Sequence, residues 1–284
     1  MSPNPAATST VPLIDCHSHL DGFSDAEVCG ILDRASAAGV GAIVTAGTTL
    51  ETTRRAVQLA SEHPPLFAAA GLHPADLTGP VLGESEGTLA ELAASDRVVA
   101  ISEIGLDFQE TSPDRAVQFQ AFRRQIGIAR ELGLPIVFHS REASRDALRV
   151  LREERGFEVG GAMHYFQGDQ RTAREAIDLG FCVSLARPLL RLADLRSVAA
   201  ELPMDWIVLE TDAYPQPFKK DRRRWTEPRH VTEIAGALAQ LKGMSVADVA
   251  EATTSNALAM LGRRGSMVAD QVNQVRGRLP ASPA

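Results

Sequence analysis

Eight short apolar runs recur along the chain at intervals of roughly 30 residues, and each is followed by a stretch with helical spacing of apolar residues. This alternation is typical of βα repeats, in which helices cover a parallel sheet. The runs begin near Leu13, Ala42, Leu66, Val98, Ile136, Gly161, Cys182 and Ile207. Eight parallel strands close a barrel of about 250 residues. The chain has 284 residues, of which 44% are hydrophobic, so we predict an α/β fold of the (β/α)8 TIM-barrel type.

The domain limits follow from composition. No linker-like shift divides the chain between Leu13 and Leu261, so we expect a single domain over residues 11–264. Residues 1–10 are rich in Pro, Ser, Thr and Ala, which predicts a disordered lead-in, and residues 265–284 are expected to form a flexible tail.

Several helix ends are marked in the sequence. Ser24 and Glu27 have the spacing of a capping box, and Gly39 is placed to end the helix that they begin. The pair Ser112-Pro113 predicts an N-cap followed by a first-turn proline.

Charge and cysteine content limit the possible partners. Lys and Arg number 29 and Asp and Glu 36, so the net charge of −7 will not draw nucleic acid or anionic membranes to the surface as a whole. Three scattered cysteines are too few for a disulfide framework, which favours a reducing compartment and a cytoplasmic location. Neither a signal peptide nor an apolar run of about 18 residues is found, so no membrane association is expected. No obligate protein partner is indicated.

Metal-binding side chains follow the strand-like runs. Parallel barrels carry their active sites at the carboxyl ends of the strands, where these side chains should meet. One histidine at such a position is more often an ordinary core or loop residue, but several together with carboxylates predict a metal site. The candidate residues are His17, His19, His73, His139, His164, Glu103 and Asp212.

The ligand types limit the metal. Imidazole and carboxylate without thiolate suit Zn, Mn, Fe, Co or Ni, and carboxylate with water suits Mg. The candidates exceed what one catalytic ion needs, so two divalent ions are expected, with Glu103 as the bridge. A modified lysine cannot take that place, because Lys219, Lys220 and Lys242 all follow the last strand-like run.

The residues from Leu13 to Gly262 resemble the TatD-like metal-dependent deoxyribonucleases of the amidohydrolase superfamily. The resemblance rests on ordered motifs: Asp15-x-His17-x-His19-Leu20, Gly71-Leu72-His73-Pro74, Glu103-x-Gly105-Leu106-Asp107, His139-x-Arg141-x-Ala143, His164-x-Phe166-x-Gly168, Glu210-Thr211-Asp212-Ala213 and Glu227-Pro228. It implies a distorted (β/α)8 barrel with two divalent ions that hydrolyses DNA phosphodiesters, often as a 3′-to-5′ exonuclease. Single-stranded DNA or 3′ ends would then be the substrate.

The resemblance also implies roles for the motif residues. One ion would be held by His17, His19, Glu103 and Asp212, and the other by Glu103, His139 and His164. His73 would contact the substrate phosphate or position the water, and Arg141 would bind phosphate unless it forms an ordinary salt bridge at the rim. Glu103, Asp212 and His73 are thus the expected catalytic residues.

Three positions depart from the pattern of the family. Ser102 stands where a glycine is common, Tyr214 where a proline is common, and Thr226 where asparagine is expected. All ligand positions are filled, so these differences concern substrate preference.

A basic loop over residues 218–225 follows Asp212. We expect it to bind substrate through charge and stacking, and a solvated surface loop is the alternative. The residues expected to contact DNA are Lys219, Lys220, Arg222, Arg223, Arg224 and Trp225.

Two other functions remain open from the sequence. Fold and metals do not fix the bond that is cleaved, so a barrel amidohydrolase or lactonase acting on a small cyclic amide or ester is one alternative. A non-catalytic nucleic-acid-binding module that uses only the basic loop is the other.

Overall fold

Eight parallel strands form one sheet in chain order, each pairing with the next. The computed structural model describes residues 11–79 and 83–277. The strands are β1 Leu13–Ser18, β2 Val40–Ala46, β3 Leu66–Ala70, β4 Val98–Asp107, β5 Ile136–Arg141, β6 Gly161–Met163, β7 Phe181–Leu185 and β8 Ile207–Leu209. All eight predicted runs are strands, and the prediction of an α/β barrel is confirmed.

Helices follow the strands and cover the outside of the barrel. They are α1 Asp25–Ala37, α2 Leu50–Glu62, α3 Glu84–Ala93, α4 Arg115–Leu132, α5 Ser144–Glu153, α6 Gln170–Asp178, α7 Ala193–Glu201, α8 Val231–Lys242, α9 Val246–Met260 and α10 Gly265–Arg276. No helix in the described parts of the chain is long and apolar enough to cross a membrane.

The predicted helix ends are confirmed in part. Ser24 and Glu27 form the capping box of α1. The N-cap of α4, however, is Asp114, whose carboxylate accepts a hydrogen bond from the amide of Ala116. The prediction of Ser112 as this cap is wrong, because the Ser112 hydroxyl donates instead to Asp107 at 2.8 Å.

The ring of strands closes at a seam between β8 and β1. Just beyond β8, the amide of Asp212 donates to the carbonyl of His17 at 3.0 Å, and the amide of His19 donates to the carbonyl of Ala213 at 2.7 Å. Ser18 and Ala213 form an isolated parallel bridge between these two bonds. The seam therefore lies at the carboxyl ends of the strands and contains three of the predicted site residues.

Two buried apolar clusters alternate along the strands. Leu66 and Ala68 belong to the cluster that holds the inner faces of the helices, whereas Phe67 and Ala69 belong to a smaller cluster made mostly of strand residues. Because side chains alternate along a strand, the smaller cluster is the interior of the barrel.

Helix α10 differs from the loose tail expected from residue 265. Val268 and Val272 of α10 are buried and belong to the interior cluster, together with Ile14 and Val44 from the strands. The apolar spacing of α10 allows it to cover one end of the barrel interior, a tertiary role that the composition of the tail does not reveal. The expected lead-in and residues 278–284 lie outside the described residues.

Candidate metal centre

Glu103 lies at the centre of the predicted metal site. Strand β4 continues beyond it to Asp107, and the pairing of β4 with β5 changes register between Ile101 and Ile104. The Glu103 residue is 4% exposed. A buried carboxylate needs opposite charge or hydrogen-bond donors, and this one is surrounded by imidazole nitrogens.

The first group of candidate ligands faces Oε2 of Glu103. Nε2 of His17 lies 3.5 Å and Nε2 of His19 lies 3.3 Å from this oxygen. Nε2 of His19 is also 3.4 Å from Oδ1 of Asp212, and the two Nε2 atoms are 3.1 Å apart. Ligand atoms bound to one ion at bond lengths of about 2.0–2.2 Å lie roughly 3.0–3.5 Å apart. The spacing therefore fits a divalent ion among these four residues.

A second group faces the other oxygen of the same carboxylate. Nδ1 of His139 lies 2.8 Å and Nε2 of His164 lies 3.2 Å from Oε1 of Glu103. Nε2 of His73 lies 3.4 Å from the same oxygen, and His17 is also close enough to His164 and Glu103 to share an ion with them. Imidazoles thus face both oxygens of Glu103, which fits a carboxylate that bridges two ions.

In two imidazoles, the hydrogen bond made by one nitrogen indicates that the other nitrogen is free to bind a metal. Nδ1 of His19 lies 2.9 Å from the carbonyl of Ala46, so Nδ1 carries the proton and Nε2 offers a lone pair. Nε2 of His139 is 3.0 Å from Oδ2 of Asp107, which leaves Nδ1 to face Glu103. A carbonyl or carboxylate behind the ring is typical of metal-binding histidines.

His164 and His17 also have polar neighbours behind the ring, but these contacts do not fix the tautomer, because the first lacks hydrogen-bond geometry and a hydroxyl can donate or accept. Nδ1 of His164 lies 2.9 Å from Oε1 of Glu210 and Nε2 faces the site. Nδ1 of His17 lies 3.3 Å from the hydroxyl of Ser102. Ser102, which departs from the family pattern, is therefore in contact with a candidate ligand.

His73 differs from the other four histidines. Its Nδ1 accepts a hydrogen bond from the amide of Ala75 at 3.1 Å. In the neutral ring the proton then sits on Nε2, which is 3.4 Å from Oε1 of Glu103. A protonated nitrogen cannot bind a metal, so His73 presents a hydrogen-bond donor to the site. This fits the predicted contact with phosphate or water.

The charges in the site balance one another through shifted pKa values. Burial raises the pKa of Glu103, but the imidazoles around it, foremost His164, outweigh burial and hold this pKa well below its usual range. Burial lowers the pKa of His164, but Glu210 and Glu103 overcome it and raise the pKa well above its usual value. For His17, burial and the neighbouring His164 lower the pKa. Without ions, these shifts favour an ionised Glu103 beside a protonated His164 and a neutral His17.

Asp15 and Thr211 fix the backbone beside Asp212. The buried carboxylate of Asp15 accepts hydrogen bonds from the amide of Thr211 at 2.8 Å and from its hydroxyl at 2.6 Å. Asp212 itself has a φ of 51°, which is uncommon for a residue other than glycine. These bonds and the seam hold the carboxylate of Asp212 toward His19.

Sequence reasoning gave no role to Asp107, Glu210 or Asp15. All three stand in motifs that also contain a candidate ligand. Their spacing could have marked them, since each lies two or four residues from a ligand near the end of a strand. The rings that Asp107 and Glu210 contact, however, belong to other strands, and single-chain spacing does not reveal such pairs.

A cavity of about 930 Å³ opens above Glu103 at the carboxyl ends of the strands. The residues that line this cavity include His73, Arg141 and Tyr165. Nη1 of Arg141 donates to Oε1 of Gln109 at 3.1 Å, which directs the guanidinium along the wall. No carboxylate in the described residues pairs with Arg141, so its predicted role toward phosphate stands as a proposal.

The basic loop over residues 218–225 lies outside the lining of this cavity as the structure describes it. The guanidinium of Arg222 pairs with Glu27 at 2.6 Å and lies 3.8 Å from the ring centre of Trp225. The carboxylate of Asp221 pairs with Arg223 at 3.1 Å. Arg222, Arg223 and Trp225 therefore make contacts within the protein. Contact with substrate remains a prediction for all six residues of the loop that were expected to bind DNA: Lys219, Lys220, Arg222, Arg223, Arg224 and Trp225.

Comparisons with known proteins agree with this geometry. The sequence profile of the TatD related DNase family matches residues 14–262. The metal-dependent hydrolase YabD of Bacillus subtilis is 36% identical over 251 residues, covering 86% of this chain and 97% of that protein. The human deoxyribonuclease TATDN3 is 32% identical over 262 residues, covering 87% and 94%.

A solved structure shows the same barrel. The crystal structure of YjjV, a TatD homologue from Escherichia coli, matches with a TM-score of 0.77 and 29% identity, covering 88% of this chain and 98% of that one. Family profile, relatives and structure agree over nearly the whole described barrel. The chain therefore belongs to the TatD related DNase family and is a metal-dependent hydrolase of that family.

Proposed function

We propose that this protein is a two-ion deoxyribonuclease that hydrolyses DNA phosphodiesters. The observation that carries the proposal is the division of the Glu103 carboxylate between two groups of imidazoles. His17 and His19 face Oε2, and His139, His164 and His73 face Oε1. When bound, two divalent ions would polarise the phosphodiester and lower the pKa of water.

Three residues of the chain would have separate roles in the reaction. Asp212, whose Oδ1 is 3.4 Å from His19, would hold one ion and accept a proton from the attacking water. His73 would donate a hydrogen bond from Nε2 to a phosphate oxygen. Arg141 would bind a neighbouring phosphate, since its guanidinium lines the cavity with Gln109.

DNA is proposed as the substrate because a relative that covers most of this chain is named a deoxyribonuclease. Action on single-stranded DNA and on 3′ ends is proposed from the resemblance of the ordered motifs to the TatD-like deoxyribonucleases. The ions are divalent Zn, Mn, Mg, Fe, Co or Ni, and the expected location is the cytoplasm.

A cleavage assay tests the function. The metal-stripped protein is reloaded with each divalent ion and given single-stranded DNA labelled at the 5′ or the 3′ end. We expect metal-dependent release of mononucleotides from the 3′ end. A parallel panel of lactones and cyclic amides tests the alternative of an amidohydrolase. Turnover in that panel, without any hydrolysis of DNA, would overturn the proposal.

A further inference from the structure

The two tyrosines of the chain, Tyr165 and Tyr214, both line the cavity above Glu103. Tyr165 follows β6 and Tyr214 follows β8, so both stand on the same side of the barrel mouth. Tyr214 is 38% exposed. Aromatic rings at the surface of a polar cavity offer apolar faces that a ligand can cover.

The backbone holds Tyr165 at this position. Its φ is 45°, an uncommon value for a residue with a side chain, and its amide donates to Oε1 of Glu210 at 2.7 Å. Its ring centre is 5.7 Å from that of His164. Because Glu210 also lies beside His164, the same carboxylate positions the tyrosine and the candidate ligand.

Another part of the cavity lining is polar. His73, Gln109 and Arg141 follow the three consecutive strands β3, β4 and β5, whereas the two tyrosines follow β6 and β8. The lining therefore combines hydrogen-bond donors and a cation with two aromatic rings. A nucleotide has features that match both, with an anionic phosphate at one end and a flat base at the other.

We propose that Tyr165 and Tyr214 form a nucleobase-binding subsite, which stacks the base of the nucleotide whose phosphate would be bound by His73 and Arg141. This inference rests on the proposed function and names the part of the substrate that the aromatic side recognises. Stacking on an aromatic ring accepts every base, so the subsite would favour nucleotides over base-free sugar phosphates without selecting a sequence.

The test uses two ligands of similar charge, thymidine 5′-monophosphate and 2-deoxyribose 5-phosphate. The ion-loaded protein is labelled with 3-fluorotyrosine, which gives two fluorine signals, because the chain has two tyrosines. Tyr165→Phe and Tyr214→Phe assign the signals. We expect the mononucleotide to shift both signals and to bind at least about fivefold more tightly than the sugar phosphate.

Leucine variants separate stacking from other effects. Tyr165→Leu and Tyr214→Leu should lose the preference for the mononucleotide, whereas the phenylalanine variants should keep it, because stacking does not need the hydroxyl. Phe157→Leu is the matched control, since Phe157 is 45% exposed and lines a different cavity near the start of β6. Circular dichroism checks that each variant is folded.

The outcomes distinguish this inference from the proposed function. Equal affinity for the two ligands, or unchanged preference in Tyr214→Leu, would overturn the base subsite even if DNA is hydrolysed. Base-dependent binding in a protein that never hydrolyses DNA would support the subsite and overturn the proposed reaction.

Discussion

Nε2 of His139 lies 3.0 Å from Oδ2 of Asp107, and this contact decides which nitrogen of His139 faces the metal centre. Asp107 is itself held by the amide of Gln109 at 3.0 Å and by the hydroxyl of Ser112 at 2.8 Å. Burial raises the pKa of Asp107, but His139 and these donors outweigh burial and lower the pKa, so the carboxylate stays ionised.

Asp107→Asn should therefore weaken the ion that faces His139. An amide can present a donor to Nε2, which favours the wrong tautomer, and loss of such a partner typically costs about 10- to 100-fold in metal affinity. Isothermal titration with Zn²⁺ should show one weakened and one unchanged site. The exposed Asp178→Asn on α6 is the control. Two unchanged sites would show that Asp107 does not orient the ring.

Glu103→Ala should reduce the occupancy of both proposed ions, because each of its oxygens faces different imidazoles. Turnover should fall on the order of a hundredfold or more, since the ions supply several kcal/mol of stabilisation to the transition state. Metal analysis after dialysis measures the stoichiometry, with the exposed Glu131→Gln on α4 as the control. Retention of two ions would remove Glu103 from the bridging role.

Asp212→Asn should lower kcat by about 10²- to 10⁴-fold while leaving KM within a few-fold, if Asp212 accepts a proton in the reaction. The amide keeps the size of the side chain, and the bonds between Thr211 and Asp15 leave the backbone in place. Steady-state kinetics on a fluorescent single-stranded substrate gives both constants. An unchanged kcat would make Asp212 a structural residue.

Metal binding should release protons and become tighter as the pH rises. In His19, burial lowers the pKa, but Asp212 and Glu103 outweigh it and raise the pKa well above 6.5. The ion must displace this proton, so affinity should increase up to the raised pKa. Titration calorimetry in buffers of different ionisation enthalpy counts the protons released. A count of zero at neutral pH would contradict the proposed balance of charges.

The stability of the ion-free protein should decrease as the pH rises, whereas its affinity for metal increases. A histidine whose folded pKa is raised stabilises the fold fully below its unfolded pKa, and this contribution is lost as the pH rises through the folded pKa. His19, His139 and His164 have raised pKa values, and the opposite contributions of His17 and His230, whose pKa values are lowered, change mainly below about pH 6.5. Melting in a chelator should therefore occur at a lower temperature when the pH is raised from about 6 to about 9, whereas a flat or rising profile would contradict the shifts.

Lys220→Gln with Arg224→Gln tests the basic loop more cleanly than changes at Arg222 or Arg223, which pair with Glu27 and Asp221. If both cations contact phosphates, the slope of log K against log salt should become shallower by about 1.4 for single-stranded DNA. Hydrolysis of a dinucleotide, which reaches only the cavity, should not change. An unchanged slope would show that the loop is a solvated surface.

The sequence was sufficient to predict the barrel, because the eight strands are short apolar runs that alternate with stretches of helical spacing. It also named residues that the structure brings together, from His17 on β1 to Asp212 beyond β8. Periodicity is a local property, and the carboxyl ends of parallel strands meet by necessity.

What could not be predicted depends on contacts between elements. The tautomer of His73 is set by the amide of Ala75, and the pairing of Asp107 with His139 joins β4 to β5. The composition of the tail does not show that Val272 of α10 packs against the barrel interior. The distance of the basic loop from the cavity depends on the path of the chain after β8.

The seam between β8 and β1 joins closure of the barrel to the candidate metal centre. The amides of His19 and Asp212 form the closing hydrogen bonds, and the side chains of the same two residues lie within 3.4 Å of each other, where they would hold one ion. Any local opening that exchanges these amide protons with solvent would also pull the ligands apart. Zn²⁺ should therefore slow hydrogen exchange at these amides more than at the outer helices. In a chelator, local opening of the barrel should occur first at the seam between β8 and β1.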